Sequence, residues 1–135
     1  MNISLGKDIF LRSKDLGHSS VHLRNDGIVQ INFGDNVDID LKEAVEVVDA
    51  IGELTEGKKV PVLNIGGIST SATSAAREYS ATPLGLKYTI ADAYVVNNLA
   101  QKILGNFYIS FNKPPIPTKI FDDMEKAVEW LKTHL

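Results

Sequence analysis

Val60-Pro61-Val62-Leu63-Asn64-Ile65-Gly66-Gly67-Ile68-Ser69-Thr70-Ser71-Ala72-Thr73-Ser74 decides how the rest of the chain is read. The first six residues form a short, almost wholly apolar run. Such density fits a strand buried on both faces, the position of a central parallel strand. Pro61 is tolerated because it stands at the beginning of the run, where little ladder bonding is lost. Gly66 and Gly67 let the chain turn sharply. Small and hydroxylated residues then lead into a helix expected to run to about Ser80.

Upstream, Leu41, Ala44, Val45, Val48 and Ile51 recur at helical spacing, with Lys42, Glu43, Glu46 and Asp49 between them. Asp40 and Glu43 have capping-box spacing, and Gly57 is a natural stop. Earlier still, Arg24-Asn25-Asp26-Gly27 separates Val21–Leu23 from Ile28–Phe33. That is a tight hairpin signal, and the second run alternates apolar and polar residues. The segment from Ile3 to Leu16 has weak signals and is compatible with a short strand or a loose crossing.

Downstream, Pro83 and Gly85 mark a break and Tyr88–Val96 reads as a strand. Asn98 and Gln101 resemble a capping box for a third helix, with Leu99, Ile103 and Phe107 on its face. Asn112-Lys113-Pro114-Pro115 is a loop, and Thr118–Phe121 a last short strand. Asp122 and Glu125 would cap a closing helix whose stripe is Met124, Ala127, Val128, Leu131 and Leu135. A hairpin followed by alternating helices and strands predicts one α/β domain over 1–135, a mixed sheet with parallel βα units and about four helices.

Composition narrows the function. The net charge is -3, and the 14 basic residues are scattered, so nothing favours nucleic acid or anionic lipid. There are no cysteines, which removes disulfides, thiol catalysis and cysteine-based zinc sites. No stretch approaches the ~20 apolar residues of a membrane span. Met1–Phe10 has no long apolar run of the signal-peptide kind, so a cytoplasmic location is expected.

Individual motifs point the same way. His18, His22 and His134 form no metal-ligand pair, and Asp35, Asp38 and Asp40 lack the glycine and distal Glu of a calcium loop. Gly66-Gly67 lies between a strand and a helix but without the rest of a nucleotide-binding fingerprint. No nucleophile elbow is present. No cofactor and no enzymatic activity are expected. The hydroxyl run Ser69–Ser74 serves as N-capping chemistry or as a phosphorylation switch, because a helix start tolerates phosphate. Phe107-Tyr108-Ile109-Ser110-Phe111 has more apolar side chains than one helical stripe buries, so part of it is available to pack under a loop or to line a groove.

On these residues the sequence resembles the STAS family, the sulfate-transporter and anti-sigma-factor-antagonist domains. The resemblance covers about 27–135 and is best over Pro61–Ala76. The antagonist motif Asp-Ser-Ser-Gly falls on Ala72, Thr73, Ser74 and Ala75, so the family's Asp and Gly are both alanine here. The family's phosphorylated position falls on Thr73. What the resemblance implies is a non-enzymatic regulatory module with a protein partner, docking at Asn64, Ser69, Ser71, Thr73 and Ser74. The alternative is a small-molecule or lipid carrier using an apolar groove at Phe107, Tyr108 and Phe111, after lipid-binding domains of related fold. The first twenty residues are candidates for an edge strand or a homodimer contact.

Overall fold

The computed structural model describes residues 9–135. Six strands form one mixed sheet: β1 (Phe10–Asp15), β2 (Ser19–Arg24), β3 (Val29–Phe33), β5 (Val60–Ile65), β7 (Thr89–Val95) and β8 (Thr118–Phe121), in the spatial order β1-β2-β3-β5-β7-β8. The first two pairings are antiparallel and the last three parallel. Thus the weak segment before Leu16 supplies an edge strand from Phe10 onward; what was expected of Ile3–Asp8 lies outside the described residues. The β2–β3 turn takes its positive φ at Gly27 alone, not at Asn25 or Asp26.

From β3 onward the chain steps across the sheet in one direction. Crossovers of the usual right-handed kind then place successive helices on one face. Helix α1 (Leu41–Thr55), α2 (Ser74–Ser80) and α3 (Leu99–Phe107) share that face, and α4 (Met124–Lys132) covers the other. Each face has its own core because side chains alternate along a strand. Val29, Ile31 and Val62 pack on Val47, Ala50, Ile51 and Leu54 of α1. Leu63, Ala91, Ala93 and Val95 pack on Ala127 and Leu131 of α4. Burying one such Leu contributes about 1.5–3 kcal/mol over leaving it in water.

The caps show how local sequence sets the boundaries. Asp40 and Glu43 form a complete capping box on α1. That helix ends at Thr55, two residues before Gly57, with Glu56 left-handed and the Gly57 N–H on the Gly52 carbonyl. Asp123, rather than Asp122, caps α4, because its carboxylate is the one that reaches the N–H groups of Glu125 and Lys126. Met124 and Leu135 of the expected α4 stripe are exposed, and Ala127 and Leu131 carry the contact. Asn98 caps α3 through the Gln101 N–H.

Two local features were not foreseen. Residues Asp38–Ile39 (β4) and Ser71–Ala72 (β6) pair as a small parallel bridge away from the main sheet. After α3 the chain widens into a π-helical turn, Tyr108–Asn112, ended by left-handed Lys113. No helix among the described residues is long and apolar enough to cross a membrane.

Candidate functional site

The β5–α2 loop is laced to the loop before α1 by three acidic residues. Asp35 accepts from the Ile68 N–H at 2.7 Å, Asp38 from the Ser71 hydroxyl at 2.9 Å and Asp40 from the Thr73 hydroxyl at 2.8 Å. The β4–β6 bridge lies within this seam. The three aspartates are thereby employed separately and form no cation cage. Asp40 is held below the usual carboxylate range, first by the Leu41 N–H and then by the Thr73 hydroxyl. Gly67 is required by crowding, since a Cβ there would lie 2.7 Å from the carbonyls of Phe33 and Gly34.

Of the residues singled out in the sequence, Ser69, Ser71 and Ser74 are exposed and Thr73 half-buried along this loop. Thr73 is the N-cap of α2: its hydroxyl oxygen accepts from the Ala76 N–H while donating to Asp40. Asn64 is not on that surface. It is only 5% exposed and points to the interior, donating from Nδ2 to Asp92 Oδ1 at 2.9 Å and to the Ala93 carbonyl at 3.2 Å.

Phe107, Tyr108 and Phe111 do not line one groove. Phe107 and Phe111 stack on each other outside, with ring centroids 4.9 Å apart. Tyr108 turns in and is buried. Leu99 and Ile103 join Phe107 on the exposed side of α3, so the apolar face expected from their spacing is the solvent face. The inward face is carried by Gln101, Leu104 and Gly105. Gln101 is more than a cap: its Oε1 accepts from the Asn97 N–H at 2.8 Å and its Nε2 donates to the Gly67 carbonyl at 2.7 Å, tying α3 to the laced loop.

Between the sheet and these three helices lies a cavity of about 190 Å³. Its walls are apolar: Val47, Val48 and Ile51 of α1, Val62 of β5, Ala76 of α2 and Leu104 of α3. Asn64, Asp92 and Tyr94 stand on its sheet side, and Tyr108 and Arg77 on its helix side. Burial pushes the Asp92 carboxyl up from 3.8 to about 6, partly offset by the Asn64 hydrogen bond. Burial also raises the Tyr94 and Tyr108 phenols, with Asp92 adding to both. The two rings meet edge-on at 5.9 Å. Among the described residues the buried Tyr108 hydroxyl has no partner in good hydrogen-bond geometry, although the Tyr94 hydroxyl is near. Sequence reasoning missed Asp92. The signal was there, a lone carboxylate in the middle of the otherwise uncharged run Thr89-Ile90-Ala91-Asp92-Ala93-Tyr94-Val95.

The sheet order and the helices define an α/β domain with a SpoIIAA-like fold. The chain belongs to the DUF7793 family, a domain of unknown function, whose model matches residues 21–135. Among solved structures it is similar to an uncharacterized protein of the DUF3478 family with a SpoIIAA-like fold from Shewanella loihica PV-4. That likeness has a TM-score of 0.50 at 15% identity, over 89% of this chain and 90% of the other. No curated protein matches the sequence.

Proposed function

We propose that this domain is a non-enzymatic binding module that holds a small, mainly apolar molecule in the cavity under α1, α2 and α3. One observation carries this reading: an apolar cavity of about 190 Å³ in the middle of the fold, with buried polar groups at its wall. Ligand sites are typically of this kind, apolar with a few convergent polar groups. An engineered apolar cavity of ~150 Å³ takes up benzene, so the size suits a single-ring body. Native mass spectrometry of the protein isolated from its own cells is expected to show a stoichiometric small-molecule adduct. A clean apo mass, together with no uptake of single-ring probes by the purified protein, refutes the reading.

A second reading keeps the surface at Ser69, Ser71, Thr73 and Ser74 as a protein-docking site modulated by phosphorylation. The observation in its favour is the Thr73–Asp40 hydrogen bond. A phosphate on Thr73 would bring about -1.5 to -2 charge against that carboxylate, converting an attraction into a repulsion. The seam would loosen beside the cavity wall formed by Ser71 and Ala72. Phosphopeptide mapping of the protein from its own cells tests this: phosphate on Thr73 or Ser74 is expected, and an unmodified loop counts against it.

A further inference from the structure

Among the described residues Asp92 is the one acidic side chain in the cavity wall. Among the described residues Asn64 is the one side chain that donates to it, and it reaches Oδ1 alone. The orientation of the Asn64 amide follows from its partners: Asp92 Oδ1 and the Ala93 carbonyl are both acceptors, so Nδ2 faces them. The remaining acceptors are therefore Asp92 Oδ2 and Asn64 Oδ1. Neither oxygen is sealed off, so both are free to take donors from whatever enters the cavity that Asn64 and Asp92 line.

The complement of two neighbouring acceptors, one of them charged, is a positive group with several N–H donors. A guanidinium is already in the wall, but its hydrogen bond goes elsewhere, and its buried Nε has no partner among the described residues. Arg77 donates to the Ala72 carbonyl and lies 5.5 Å from the centroid of the half-exposed Phe107 ring, at the outer rim. It makes no ion pair with Asp92. Tyr94 and Tyr108, both in the wall, add aromatic surface of the sort that accepts an ammonium.

We infer that the cavity takes a small primary amine, its ammonium group on Asp92 and Asn64 and its apolar body against the Val47, Ile51 and Val62 side. This rests on the ligand-cavity reading above and adds the head group to it. The ammonium is compact enough to offer two donors to the two oxygens and keep the third for the Tyr108 hydroxyl oxygen, which has no well-placed partner among the described residues.

Four probes with one ring and different heads test it by calorimetry at pH 7.5: toluene, benzamide, benzoate and benzylamine. Benzylamine is expected to bind tightest, by roughly 10- to 100-fold over toluene, the range of a charged hydrogen bond. Asp92→Asn keeps the shape and removes the charge. It is expected to erase that margin while toluene affinity changes less than about twofold, since apolar contacts are untouched. Toluene, benzamide or benzoate binding as tightly as benzylamine overturns the amine inference and leaves the cavity reading standing, as does an unchanged margin in Asp92→Asn. Failure of all four probes to bind removes the cavity reading, and the amine with it.

Discussion

Asn64 and Asp92 sit on adjacent central strands with Nδ2 of one 2.9 Å from Oδ1 of the other, buried among apolar side chains. The pair is placed by register: Val62 is the partner of Asp92 and Asn64 of Tyr94, so both polar side chains face α1–α3 rather than α4. A slip of one residue would turn them to the other face.

The first consequence is a pH dependence of stability. Asp92 holds its proton more tightly in the folded state, with a pKa of about 6 against 3.8. Its contribution is therefore most favourable below pH 4 and is lost as pH rises through about 6. The swing is on the order of 3 kcal/mol at most. Asp92→Asn is expected to lack this slope and to exceed the parent in stability at pH 7. Urea denaturation of both proteins at intervals from pH 4 to pH 7 measures it. Parallel stability curves would show that Asp92 is not buried as described.

Thr73→Ala removes an N-cap and the tie to Asp40 together. A lost cap costs about 1 kcal/mol. The carboxyl of Asp40 is also expected to titrate at higher pH in the variant, because the Thr73 hydroxyl that helps hold it low has gone. A carboxyl-detected NMR titration follows it directly. An Asp40 curve unchanged by the substitution would mean that the seam does not form.

Gln101→Glu leaves size and the acceptor for the Asn97 N–H but replaces a donor with an oxygen facing the Gly67 and Thr70 carbonyls. The expected loss is about 1–3 kcal/mol at neutral pH. It should shrink in acid, where a protonated Glu regains an O–H donor. Thermal melts at pH 4 and pH 7 separate this from a general weakening of α3, which would be equal at both.

Gly67→Ala forces a Cβ to 2.7 Å from two backbone carbonyls that cannot move aside like a side-chain tip. Overpacking of this kind costs about 1–3 kcal/mol. Gly57→Ala meets no atom within 4 Å but has a φ of +81°, so its cost is conformational. Differential scanning calorimetry is expected to show a lower Tm for both. Amide exchange is expected to speed up around Ser69–Thr73 in Gly67→Ala alone; equal exchange there in the two variants would deny the crowding.

Much of the fold was legible because local signals agreed with it. The Asp40–Glu43 box, the α1 periodicity and the apolar Val60–Ile65 run each specify an element without help from elsewhere. The α3 stripe misled for a physical reason. Leu99, Ile103 and Phe107 have the spacing of a buried face, yet the inward side is polar or small because Gln101 must reach the Gly67 carbonyl and Gly105 must pass Ile120. The candidate site was not legible as a constellation. Asn64 and Asp92 are 28 residues apart, and only the β5–β7 register joins them. The same holds for the pairing of Asp35, Asp38 and Asp40 with Ile68, Ser71 and Thr73, which spans 33 residues each time.

The most direct measurement is an NMR map of where a single-ring probe sits. With toluene bound, nuclear Overhauser contacts are expected from its ring protons to the methyl groups of Val48, Ile51 and Val62, which line the cavity. Contacts confined to the exposed row Leu99, Ile103, Phe107 and Phe111 would contradict an interior binding site.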